Sequence, residues 1–82
     1  MELSASMTLA EMPIAGKGRV RGMSLPAENH RRMMEMGLTR GATFQVIRYA
    51  PMGDPIEIRV RGYHLSLRKS EAAGITVEEL PQ

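Results

Sequence analysis

Residues 56–68 read IEIRVRGYHLSLR, and this stretch restricts the fold more than any other. Apolar and polar residues alternate on both sides of Gly62, the period of a strand with one buried face. The spacing predicts a β-hairpin reversing at Gly62-Tyr63. Val60 then faces Leu65, Ile58 faces Leu67, Arg59 faces Ser66 and Glu57 faces Arg68. A slip of one residue would set Ile58 and Val60 against polar side chains, so the alternation ties the hairpin to one buried wall.

The punctuation around the hairpin is that of a small β protein. Gly16, Gly18 and Gly22 bracket a short strand, Arg19-Val20-Arg21, with Val20 inward. A further strand carries Phe44 and Val46 on one face but Ile47 and Tyr49 on the other, which predicts a bulge or a second buried edge. Residues 50–55, APMGDP, then read as a shaped reversal: Pro51 presets φ, Gly53 accepts positive φ, and Asp54 can hold a local N–H. A last strand, Ile75-Thr76-Val77, follows the KSEAAG connection, and Leu9 and Met12 mark one short helical turn before Pro13.

One true helix is predicted, over about residues 25–36. Ser24 serves as its cap, Pro26 lies in its first turn, Glu28 sits near the positive end of the dipole, and Gly37 is the stop. Five short strands, one helix and many Gly/Pro turns favour a mainly β fold, a small antiparallel barrel. The expected core is Leu9, Met12, Val20, Met33, Met36, Leu38, Phe44, Val46, Ile56, Ile58, Val60, Leu65, Leu67, Ile75 and Val77.

Eighty-two residues make one small domain, 1–82. There is no cysteine, which removes disulfides, thiolate metal sites and cysteine nucleophiles together. No apolar run nears the roughly 20 residues that span a bilayer, and MELSASMTLAEM lacks a leader pattern, so a cytoplasmic location is expected. All eleven Lys and Arg fall in residues 17–69, which carry +7, while residues 70–82 carry −3. A basic centre suits an acidic partner surface or nucleic acid, although a solvated Arg face is the more ordinary explanation.

Few groups invite chemistry. His30 and His64 have no carboxylate at ligand spacing, and Arg59 and Arg61 beside His64 would oppose a metal cation. Met33 and Met36 fall where the helix needs apolar surface, and methionine fills irregular small cores. No nucleophile elbow, carboxylate pair or phosphate-cradling glycine loop stands out. With three aromatic residues there is no base-stacking platform. Catalytic, cofactor and metal residues are therefore expected to be none. The unspent surface is Met34, off the helix seam, Met52, at a loop tip, and Arg59 and Arg61.

Taken in order, TLAEM, Gly16-x-Gly18, Arg32-Met33-x-x-Met36-Gly37-Leu38-Thr39-x-Gly41 and APMGDP form a pattern. It continues through Ile58-x-Val60-x-Gly62-x-x-Leu65-x-Leu67-Arg68-x-x-Glu71-Ala72 and Ile75-x-Val77. This order and spacing resemble the FeoA family, with the domain core over about residues 7–79. The family more often has Leu where this chain has Met33 and Met36, a swap that conserves volume. The resemblance implies an SH3-like barrel acting as a non-catalytic adaptor of ferrous iron uptake. It implies docking on the cytosolic GTP-binding part of the FeoB transporter, with the membrane reached only through that partner. On this reading Met34, Met52, Arg59 and Arg61 are the docking candidates. The alternatives are a transition-metal-binding sensor module and an Arg-driven nucleic-acid binder.

Overall fold

The computed structural model describes residues 7–81, so the outermost ends of the expected 1–82 domain lie outside the described residues. Among the described residues six antiparallel strands form one sheet in the order β1-β6-β2-β3-β4-β5. They are β1 (Met7–Thr8), β2 (Lys17–Met23), β3 (Thr43–Tyr49), β4 (Ile56–Val60), β5 (Tyr63–Leu67) and β6 (Ile75–Glu79). Helix α1 (Ala27–Glu35) joins β2 to β3, and a single helical turn, α2 (Lys69–Ala72), joins β5 to β6. The sixth strand is β1, too short to show alternation in sequence; it pairs Met7 with Val77 and Thr8 with Thr76. The KSEAAG connection holds α2 rather than a plain loop.

Leu65 and Leu67 of β5 and Val77 of β6 share one apolar cluster, with Met7 of β1 packed against it. Because strands from both ends of the sheet feed the same cluster, the sheet rolls around its core. Every expected core residue is buried except Met36, which closes α1 as its C-cap and only packs against the cluster. Ala42 and Ala72 join the core as well. Met33, wholly buried, anchors α1 to the sheet; truncating such a side chain costs about 2–5 kcal/mol.

The hairpin differs from expectation in its turn. Ile58 pairs with Leu65, Arg59 with His64 and Val60 with Tyr63, so the reversal is Arg61-Gly62 and not Gly62-Tyr63. A shift of two residues leaves every apolar side chain on the same face, and alternation alone does not separate the two registers. Turn geometry does. Arg61 and Gly62 take φ of 53° and 85°, the paired positive values of the hairpin turn whose twist matches its strands.

The bulge expected in β3 is present. Val46 pairs with Ile58 and Arg48 with Glu57, leaving Ile47 as the extra residue. The insertion rephases the strand, so Phe44 and Val46 point inward before it and Tyr49 packs against the core after it. A similar irregularity in β2 leaves Arg21 between the Val20–Val77 and Gly22–Thr76 pairs.

Helix α1 starts later than its cap was expected. Pro26 is the N-cap, without a side-chain capping bond, and Ser24 donates its N–H to the Gly74 carbonyl at 2.7 Å. The residue before a proline is held extended, so Leu25 keeps Ser24 out of capping reach. The C-terminal end follows the expected stop: Gly37 has φ +89°, its N–H bonds Met34 O at 3.1 Å, and Leu38 N–H bonds Met33 O at 3.0 Å. These two bonds satisfy helix carbonyls that would otherwise be orphaned.

Candidate docking surface

Arg59 leaves the outer face of β4 between buried Ile58 and Val60, directly across from His64 on β5. Its Nη2 lies 3.4 Å from His64 Nε2, which accepts in the tautomer protonated at Nδ1. Arg61 belongs to the turn and is already engaged. Its Nε donates to Gly37 O at 3.0 Å and its Nη2 to Thr39 Oγ1 at 3.3 Å. The cation therefore sits at the carbonyl end of α1, the negative end of the helix dipole, and fastens the hairpin tip to the helix. Arg59 and Arg61 border one shallow groove of about 350 Å³ together with Lys17, Gln45 and Leu80.

The two methionines lie elsewhere. Met34 is 45% exposed and borders a separate cleft of about 310 Å³ with His30, one helical turn before it, and with Met23 of β2. Met52 is 91% exposed at the tip of the β3–β4 connection. Ala50 N–H bonds Pro55 O at 3.0 Å and Gly53, at φ +84°, bonds Ala50 O at 2.7 Å, so APMGDP is the reversal expected. Asp54 departs from expectation: Oδ1 accepts the N–H of Lys69, fifteen residues on, at 2.9 Å. The fold thus gathers Arg59 and Arg61 at one groove and keeps Met34 and Met52 apart from it.

A buried carboxylate was missed in sequence. Glu71, 4% exposed, accepts Asn29 Nδ2 at 3.0 Å, the Arg32 guanidinium, and the Arg68 N–H at 3.0 Å. Burial pushes its pKa up, but the bonds from Arg32, the Arg68 backbone and Asn29 outweigh burial and hold the carboxyl below its ordinary value. The bond to its own helix start is half of a capping box. That signal was readable as Arg68-x-x-Glu71, but an arginine at the cap position disguised it. Arg32 and Glu71 also border a groove of about 810 Å³ between α1, α2 and the end of β5. His30 and His64 stand on different elements, and no group of three or more His, Cys, Asp or Glu among the described residues could hold a metal ion.

The profile of the FeoA domain matches residues 7–79, nearly the whole chain. The chain belongs to the FeoA family. Its fold overlays the NMR structure of a FeoA-like protein from Clostridium acetobutylicum with TM-score 0.86 at 44% identity, covering 98% of this chain and 93% of that one. FeoA of Stenotrophomonas maltophilia, complexed with zinc and described as a procaryotic SH3 domain protein, overlays with TM-score 0.76 at 30% identity, covering 88% and 89%. The SH3-like character of this FeoA domain follows. A Porphyromonas gingivalis protein, a fusion of Fe(2+) transport protein A with the Fe(2+) transporter FeoB, is 44% identical over 48 residues. That match spans 58% of this FeoA chain and 6% of the fusion protein's length. No helix among the described residues is long and apolar enough to cross a membrane.

Proposed function

We propose that this FeoA domain is a non-catalytic adaptor of ferrous iron uptake, docking on the cytosolic GTP-binding part of a FeoB-type transporter and modulating it. The observation that carries the reading is the fusion protein of P. gingivalis, in which a related segment and FeoB share one polypeptide. A covalent link holds two modules at effective concentrations of about millimolar, which favours pairs that work in contact. The chain acts in the cytoplasm and meets the membrane through its partner. Met34, Met52 and Arg59 are the exposed anchors, and Arg61 contributes the free side of a guanidinium already fixed by the helix end. A few such anchors carry most of the energy of an interface.

Co-purification from detergent-solubilised membranes tests the proposal. Retention of FeoB on this chain is expected, with a changed GTP hydrolysis rate; no association, with both proteins folded, sinks it. The zinc complex of the S. maltophilia protein favours a second reading, a transition-metal-binding sensor module. That reading predicts heat on titrating ferrous iron or zinc into the chain and its loss in His64→Ala, and a null titration at tens of micromolar metal removes it.

A further inference from the structure

Strand register sets four polar side chains in one line across the outer face of the sheet. Lys17 of β2 pairs with Gln45 of β3, Gln45 with Arg59 of β4, and Arg59 with His64 of β5. Their chain neighbours Gly18, Phe44, Ile58 and Leu65 are buried, so all four side chains point away from the core. Three strand spacings separate Lys17 from His64, about 14 Å. Arg61, fixed by Gly37 O and Thr39, enters the same groove, which the half-buried Leu80 supplies with apolar surface. Among the described residues no carboxylate lines it and neither Lys17 nor Arg59 has a carboxylate partner; the ion pairs there involve Arg19, Arg21 and Arg32.

We propose that this row is a docking site for a short acidic segment of a partner protein, two or three carboxylates flanking an apolar residue. Charge complementarity selects the occupant, and two flanking acids limit its length. Glu57 stands two residues before Arg59 on the same face of β4, and Glu78 pairs with Arg19 on the opposite side of the row. A long polyanion laid along the strands meets both acids, whereas a short segment laid across the strands meets neither. Nucleic acid also lacks a stacking surface here, because Phe44 is 4% exposed. The immobilised Arg61 and the apolar side chain of Leu80 favour carboxylate and aliphatic groups side by side.

The row deepens the docking reading and rests on it for the identity of the partner, yet its test needs no transporter. The ¹⁵N-labelled chain is titrated with the peptide acetyl-Glu-Glu-Leu-Glu-amide, its Gln counterpart and a uridine decanucleotide. Amide shifts centred on Lys17, Gln45, Arg59 and His64 are expected with the Glu peptide alone. Lys17→Glu/Arg59→Glu should weaken binding about tenfold, and Arg31→Glu/Lys69→Glu, the same charge change off the row, less than about threefold. No shifts, shifts centred elsewhere, equal losses in both double variants, or preference for the oligonucleotide would each overturn the proposal. If the row variant does not fold, the shift map on the unaltered chain decides alone. A failed titration with intact co-purification removes the row and keeps the docking reading; the converse keeps the row and removes FeoB as its partner.

Discussion

Asn29 on α1 donates to the Glu71 carboxylate on α2 at 3.0 Å, and Arg32, one turn further along α1, donates to the same group. Two helices that are 34 residues apart at their nearest ends in sequence are joined by one buried acid. Replacing Glu71 by Gln removes the charge and leaves Arg32 poorly matched, at a cost of about 1–3 kcal/mol at neutral pH in urea unfolding. The carboxyl is held below its ordinary pKa of 4.5, so its contribution is complete above that value. It fades as pH falls toward the folded pKa and is absent below it. The stability curves of parent and variant should therefore converge in acid; a constant gap down to strongly acidic pH would refute this role.

Gly37 and Gly41 share φ +89°, yet only one is crowded. A Cβ at Gly37 would lie 3.0 Å from both Arg61 Cδ and the Tyr63 hydroxyl, while one at Gly41 meets nothing within 4 Å. Gly41→Ala should cost about 1–2 kcal/mol from backbone conformation alone. Gly37→Ala should cost more, because it also pushes against the Arg61 fastening. Equal melting temperatures for the two variants would contradict the crowding.

The bulge at Ile47 aims Tyr49 so that its hydroxyl donates to the carbonyls of Met12 and Ala10, fixing the 3-10 turn Leu9–Glu11 and its C-cap Met12. Tyr49→Phe should lose about 0.5–1.5 kcal/mol, read from the urea midpoint at unchanged slope. No loss would mean that water replaces the hydroxyl without cost.

Arg61 takes φ 53°, where asparagine is tolerated and alanine is not. Arg61→Ala loses the bonds to Gly37 O and Thr39 and keeps the strain; Arg61→Asn loses the same bonds and relieves it. The alanine variant should be less stable by about 0.5–1 kcal/mol. The opposite order would show that the turn does not limit stability.

Met52 makes little contact with its own fold, being 91% exposed. Met52→Ser should leave stability within about 0.5 kcal/mol and reduce FeoB recovered in co-purification. Unchanged recovery with Met52→Ser/Met34→Ser would remove both methionines from the docking surface.

What was legible in the sequence followed from periodicity. Alternation in IEIRV and YHLSL and the lack of β-branched residues in AENHRRMMEM located β4, β5 and α1, and the conflict of Ile47 with Phe44 and Val46 located a bulge. What escaped depends on effects that periodicity does not carry. The two-residue shift in the hairpin preserves both faces and is decided by backbone conformation at Arg61. Glu71 reads as a solvent-exposed charge until α1 brings Arg32 and Asn29 over it. Arg59 and Arg61, two apart on paper, serve different ends: one stands beside His64 on the outer face and the other is tied to a helix end.

The place of β6 has a bearing on how the domain is made. Among the described residues it is the last strand in sequence and lies between β1, the first, and β2, and β1 pairs with no other strand. During synthesis β1 emerges from the ribosome long before β6, the strand it pairs with. It must wait until residues 75–79 have cleared the exit tunnel. The three-stranded β2-β3-β4 ladder can assemble beforehand, but its β2 flank stays open until β6 has left the ribosome, and an unpaired strand edge of that kind is open to association with other chains.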